Sequence, residues 1–212
     1  MRSGGTLVGT RARLLAAARA EFAAHGMGGA RVGRIAEQAG VNKERIYGYF
    51  GSKEQLFAAV VAEALTEHAE LLGLPEGDPG EYAGRIYDLH RGNPQLLRLM
   101  MWESLHYGTG GLPNARQRAE RYRATVDALA AARGSGSEET TGSPATLLAL
   151  IGIAVLPTAF PQLTRLVLGL PEPGAGSAAG AAAEAGADAE GRDDAELRAG
   201  IVTLARRMTA HP

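Results

Sequence analysis

Cysteine is absent from the 212 residues, which excludes disulfide scaffolds, thiolate zinc sites, iron–sulfur clusters and cysteine nucleophiles. Aromatic residues are scarce at 5%. Lysine is scarcer still, since of 22 basic residues only Lys43 and Lys53 are lysines. The stretch MRSGGTLVGTRAR holds no apolar run of signal-peptide length, so a cytoplasmic location is expected. What the chain has is 45% hydrophobic residues, with 25 leucines against 15 valines and isoleucines together. That balance favours helix over sheet, and the length suits one domain or two small ones.

The net charge of −1 hides an asymmetry. Residues 1–56 carry nine Lys/Arg against four Asp/Glu, whereas residues 57–212 carry thirteen against nineteen. A basic head on an acidic body suits a chain that puts one end on a polyanion. A chance asymmetry of a solvated surface is the plain alternative.

Helical spacing of Leu15, Ala18 and Phe22 predicts an amphipathic helix from Thr10, as its cap, to His25, ended by Gly26. Val32, Ile35, Ala36 and Ala39 form a second short helix, and Ile46, Tyr47 and Phe50 lie on a third that stops at Gly51. Ser52 opens a fourth, about 53–72, with the capping-box pattern Ser52-Lys-Glu-Gln55. Further helices are expected at about 80–91, 94–107, 115–133, 145–168 and 193–209, with Pro94 at a first helical position. Residues 134–143 read as a polar loop. Residues 174–191, 14 of 18 of them Gly or Ala, read as a flexible linker. From Thr140 to Thr164 no residue is charged, but Pro157, Pro161 and Gln162 oppose a membrane span, and none is expected.

Residues 32–50, VGRIAEQAGVNKERIYGYF, meet the demands of a helix-turn-helix. Ala36 is small where the next helix crosses, and Gly40 supplies the left-handed turn residue. Ile35, Ala39, Val41 and Ile46 form the wedge between the helices. Two core helices around a glycine turn are the alternative on pattern alone. At about 100° per residue, Ile46, Tyr47 and Phe50 share the inward side of the third helix, leaving Glu44, Arg45, Gly48 and Tyr49 outward. Arg45 suits a guanine edge, and Glu44 suits cytosine or the orientation of Arg45. Gly48 costs on the order of 1 kcal/mol relative to alanine in mid-helix, a cost that a close approach to a DNA groove explains. Lys43, Lys53 and the Tyr49 hydroxyl suit phosphate oxygens.

The run ARVGRIAEQAGVNKERIYGYFGSKEQLFAAV resembles the DNA-binding domain of the TetR family of bacterial transcriptional regulators. The Ile-Ala-x-x-Ala-Gly-Val core, the Tyr-x-Tyr-Phe ending and the Ser-Lys-Glu-x-Leu start of the next helix carry the likeness, over about residues 10–61. The resemblance implies an all-α fold, with a helix-turn-helix domain at 1–52 and a helical ligand-binding and dimerisation domain at 53–212. It further implies a homodimer on a palindromic double-stranded operator and a small-molecule effector; no cofactor or metal is expected. Where the family often has Ser or Thr, this chain has Ala30-Arg31, so the second helix loses its cap and Arg31 is left as the phosphate contact.

For the effector, helix 94–107 offers Met100, Met101, Trp102, Glu103, His106 and Tyr107, with Tyr87 and His90 nearby. A satisfied core pair or an exposed tip is the plain alternative for Glu103 and His106. Glu-x-x-His occurs once, where a carboxylate-bridged di-metal bundle needs two. Helices 145–156 and 193–209 are the expected dimer interface. The function expected is a ligand-responsive repressor. A sequence-independent DNA binder without effector stands as the alternative, and a helical enzyme finds no nucleophile or phosphate-loop motif.

Overall fold

Leucine- and alanine-rich segments punctuated by glycine and proline fold into ten helices, with no strand among the described residues. The computed structural model describes the backbone of residues 4–132, 143–170 and 181–210, and the side chains of 9–132, 143–170 and 193–210. The helices are α1 (Gly4–Gly29), α2 (Val32–Ala39), α3 (Lys43–Phe50), α4 (Lys53–Leu72) and α5 (Pro79–Gly92), followed by α6 (Pro94–Tyr107), α7 (Ala115–Ala131), α8 (Pro144–Ala159), α9 (Pro161–Leu168) and α10 (Ala181–Thr209). The chain forms two units that interleave in sequence: residues 1–71 with 93–117, and residues 72–92 with 118–212.

The first unit runs past residue 52 because α4 and α6 complete its core. Leu14, Ala18 and Phe22 of α1, Ile35 of α2, Ile46 of α3 and Phe57 of α4 are buried together with Leu96 and Leu99 of α6. Phe57 meets Phe22 edge-on at 5.0 Å between ring centroids. Each large side chain removed from water contributes about 1.5–3 kcal/mol. Thr10 does not cap α1, which begins six residues earlier at Gly4, and Thr10 is buried within it. Gly26 does break the helix, at φ 64° and ψ −176°. An added Cβ there would lie 2.6 Å from the Trp102 indole, so α6 seats its tryptophan on bare backbone.

In the second unit α5 lies close against α10. A Cβ on Gly80 would sit 2.7 Å from the Val202 carbonyl oxygen, and one on Gly84 would sit 2.9 Å from the Arg198 guanidinium. Ion pairs flank this seam, with Arg206 on Asp78 and Glu81, Arg198 on Asp88, and Arg91 on Asp194. Gly80→Ala is therefore expected to destabilise the protein by about 1–3 kcal/mol in urea denaturation, as overpacking against backbone does. Gly92→Ala, with open space around it, is the control.

Two expected elements differ. The helix expected at 145–168 is broken at Phe160 into α8 and α9, bent by 92°. Pro161 has no N–H and bars Phe160 from helical geometry, leaving it at φ −128°, ψ 65°. Among the described residues no single helix is long and apolar enough to cross a membrane. The expected flexible linker is also partly wrong, since residues 181–191 belong to α10. Six alanines in those eleven positions outweigh Gly186 and Gly191. Residues 134–142 and 174–180 of the expected loops lie outside the described residues.

Candidate nucleic-acid interface

The turn between α2 and α3 is built by Gly40, which is left-handed at φ 65°, ψ 41°. Its N–H donates to the Glu37 carbonyl at 3.1 Å, and the Val41 N–H donates to the Ala36 carbonyl at 3.0 Å. This Schellman pair closes α2 and launches α3 at a fixed angle. Val32, Ile35, Ala36 and Ala39 are all buried, as their spacing predicts. Asn42 then caps α3, its Oδ1 accepting from the Arg45 N–H at 3.2 Å. Asparagine before a charged turn is an ordinary cap signal, which the spacing of apolar residues did not bring out.

On α3, Ile46 and Phe50 face the core while Lys43, Glu44, Arg45 and Gly48 are exposed. The two tyrosines exchange their expected roles. Tyr47 is 42% exposed, whereas Tyr49 packs against the core and its hydroxyl is buried without a hydrogen-bond partner. Tyr49 therefore does not offer that hydroxyl to a phosphate. Periodicity could not separate them, because at about 100° per residue both stand some 80° from the midline of Ile46 and Phe50. Gly48 has nothing within 4 Å of a Cβ built on it. Packing inside the chain gives no reason for glycine at that position.

Beside α3, Ser52 caps α4 by accepting from the Gln55 N–H at 3.1 Å, and Lys53 is half-buried at that helix start. Arg31 is exposed at the start of α2 and has no side-chain cap, as expected. The place of the cap is taken from a distance. Glu21 of α1, 3% exposed, accepts the Arg31 N–H at 2.7 Å and the Arg34 Nε at 2.9 Å. Burial alone would raise its pKa, but hydrogen bonds from Arg34 and Arg31 and the charges of Arg34 and His25 hold it below the usual carboxylate value. Glu21 escaped the sequence reading. Its signal is a charge in the i, i+4, i+7 row of Leu14 and Ala18.

The expected effector residues divide between the units. Met100, Trp102 and Tyr107 pack against the core of the first, Met101 is half-buried, and Glu103 is buried. His106 is exposed, with its ring edge-on to Phe57 at 6.2 Å and to Tyr107 at 4.8 Å. Tyr87 and His90 belong to the second unit, where both are buried and the Tyr87 hydroxyl donates to Asp194. A groove of about 610 Å³ in the second unit is lined by none of them. Its walls are Gly152, Leu156 and Pro157 of α8, Leu168 of α9, and Leu197 and Leu204 of α10.

An all-helical chain with a helix-turn-helix in its first unit, its reading helix bare and flanked by cations, is of the class of DNA-binding regulators. Residues 14–60 match the model for bacterial regulatory proteins of the tetR family, and residues 78–207 match the tetracyclin repressor-like C-terminal domain. The HTH-type transcriptional repressor SCO4008 of Streptomyces coelicolor is 37% identical over 161 residues, 76% of this chain and 84% of that one. The chain belongs to the TetR family. Among solved structures, SCO4942 of the same organism is 30% identical over 96% of this chain and 99% of that one, with a TM-score of 0.69. A TetR family transcription regulator from Marinobacter aquaeolei, 21% identical over 98% of each chain, shares the fold at a TM-score of 0.63.

Proposed function

We propose that this chain is a homodimeric repressor that reads a palindromic operator with α3 and is released by a small molecule acting on the remaining helices. One observation carries the DNA reading. Gly48 stands in the middle of the exposed face of α3 with open space above it, flanked by Glu44, Arg45 and Tyr47. A glycine that no protein atom requires, on an exposed helix face that also carries Glu44 and Arg45, fits a backbone that must approach a groove floor. In this reading Arg45 contacts a base edge with Glu44 orienting it, while Arg31, Lys43 and Lys53 hold phosphates.

The dimer is proposed through α8 and α10. Leu148 and Leu156 of α8 and Leu204 and Met208 of α10 are exposed in the single chain, and the groove that α8, α9 and α10 line is mostly apolar, with Asp193 and Glu196 as its charged residues. Binding to successive major grooves requires the two α3 helices of such a dimer to stand roughly 34–36 Å apart. The effector is proposed to act through α6, whose Leu96, Leu99 and Trp102 are shared with the DNA-binding core. Met101, Trp102, Glu103, His106 and Tyr107 of the first unit stay as the proposed ligand-facing side chains, and Tyr87, buried in the second unit with its hydroxyl on Asp194, is withdrawn from that set. Coupling of about 1–3 kcal/mol would loosen the operator 5–150-fold.

Selection of bound sites from random duplex DNA tests the reading directly, with a palindrome as the expected product. On that operator, Arg45→Ala is expected to cost about 1–3 kcal/mol and relax preference at one position per half-site. Lys53→Ala is expected to weaken all sequences alike and flatten the salt dependence. Gly48→Ala separates folding from recognition. It should raise stability by up to about 1 kcal/mol while weakening the operator complex. Recovery of no preferred sequence would overturn the reading.

A further inference from the structure

Glu21 is a carboxylate held where carboxylates are costly, on the α1 face that also buries Leu14, Ala18 and Phe22. Its oxygens are taken up by one end of α2. Oε1 accepts the Arg31 N–H at 2.7 Å and lies 2.6 Å from Arg34 Nη2, and Oε2 accepts Arg34 Nε at 3.1 Å. The same Arg34 donates to the Gly29 carbonyl at 3.2 Å, and His25 Nε2 lies 3.8 Å from Glu21 Oε2. An apolar side chain of similar volume would cost less to bury, so the carboxylate is there for what it orients.

We propose that Glu21 is the positioning residue of the DNA-binding unit: it caps α2 in place of a local side chain and withholds Arg34 from phosphate, leaving Arg31 to make that contact. The inference rests on the DNA-binding reading above. The chain leaves α1 at Gly26 in a conformation open to glycine, and no side chain at residue 31 caps the next helix. Without Glu21 the start of α2 would keep its apolar face and the Arg34 bond to the Gly29 carbonyl, but the Arg31 N–H would lose its acceptor. With it, the backbone N–H of Arg31 is pinned while the guanidinium of Arg31 is exposed. Arg34, on the same helix and with its side chain 36% exposed, has its charge answered by the buried Glu21. Two arginines three residues apart thus take opposite parts, one neutralised and one presented.

A double-mutant cycle read as salt dependence tests this. Each phosphate contact contributes about 0.9 to the slope of log affinity against log salt on B-DNA. Glu21→Gln is expected to steepen the slope by about 0.9, as Arg34 is released to the phosphates, and to lower the ratio of operator to random-duplex affinity about tenfold. Arg34→Gln alone should leave the slope within about 0.3 of the parent, and the double variant should return to the parent slope. A merely structural role would lower melting temperature and reduce both affinities together at constant slope. Amide exchange at Arg31 is read without DNA. It should accelerate at least about tenfold in Glu21→Ala and stay near the parent rate in Arg34→Gln, which keeps the carboxylate. If Glu21→Gln fails to fold, the Arg34→Gln slope decides. A flattening of about 0.9 there would make Arg34 a phosphate ligand and overturn the proposal, as would unchanged Arg31 exchange in Glu21→Ala. A parent protein that binds no duplex would instead sink the DNA reading, with the amide result still judging the cap.

Discussion

Replacing Gly26 by alanine is expected to destabilise the protein by about 3–5 kcal/mol, among the largest effects of any single methyl group in this chain. Two costs add. The backbone at φ 64°, ψ −176° lies in a region that only glycine occupies without strain, at about 1–3 kcal/mol for other residues. The new Cβ would also stand 2.6 Å from the Trp102 ring, so the indole must move off a seat that it fills. Urea denaturation of Gly26→Ala, Trp102→Ala and the double variant separates the two. In the Trp102→Ala background the second cost vanishes, and Gly26→Ala should there cost only the backbone strain. Strict additivity of the two substitutions would mean that the ring does not rest on this turn. The same seat predicts that Trp102 fluorescence shifts when operator DNA binds, since the turn leads into α2.

The second large effect concerns association. Leu156→Asp and Leu204→Asp each alter a residue about half exposed in the single chain, so folding should change little. In a two-fold dimer each substitution appears twice and buries two unpaired carboxylates, at about 3–5 kcal/mol apiece. The dimer dissociation constant should rise by at least about three orders of magnitude, with operator affinity falling with it because half a palindrome remains. Sedimentation velocity at micromolar protein decides the point. Leu105→Asp, an exposed leucine of α6, is the control and should leave the mass unchanged. A dimer that survives both substitutions would shift the interface elsewhere, first to the exposed Leu166 and Val167 of α9.

The helix-turn-helix was legible because each of its positions answers to a local rule. Gly40 answers to the turn, Ala36 to the crossing, and Val32, Ile35 and Ala39 to the 3.6 period. Pro94 and Asn93 marked the start of α6 for the same reason, and Asn93 Oδ1 accepts from the Leu96 N–H at 3.3 Å. What escaped depends on contacts between different helices. Glu21 meets Arg31 and Arg34 across the α1–α2 junction, and Trp102 meets Gly26 across 76 positions. No window of 11–18 residues contains the second pair, and the first, although only 10 and 13 residues apart, straddles the break at Gly26, where one helical period no longer applies. Tyr47 and Tyr49 failed differently, since a periodic argument assigns no side to residues equally far from the midline. In α10 the composition was read as a linker, although alanine's helix preference outweighed the two glycines.

The interleaving of the two units also bears on how the protein is made. Its first unit needs Leu96 and Leu99 of α6, yet residues 72–92, which belong to the other unit, must be synthesised first. At 5–20 residues per second, residues 72–117 take roughly 2–9 s to emerge from the ribosome. Throughout that interval α1 to α4 exist as a nascent chain lacking part of their apolar core. The first unit can therefore close only once residue 117 has emerged, while residues 72–92 wait for residues 118–212, and a premature stop near residue 75 would release a DNA-binding segment that a cell's proteases meet only half assembled.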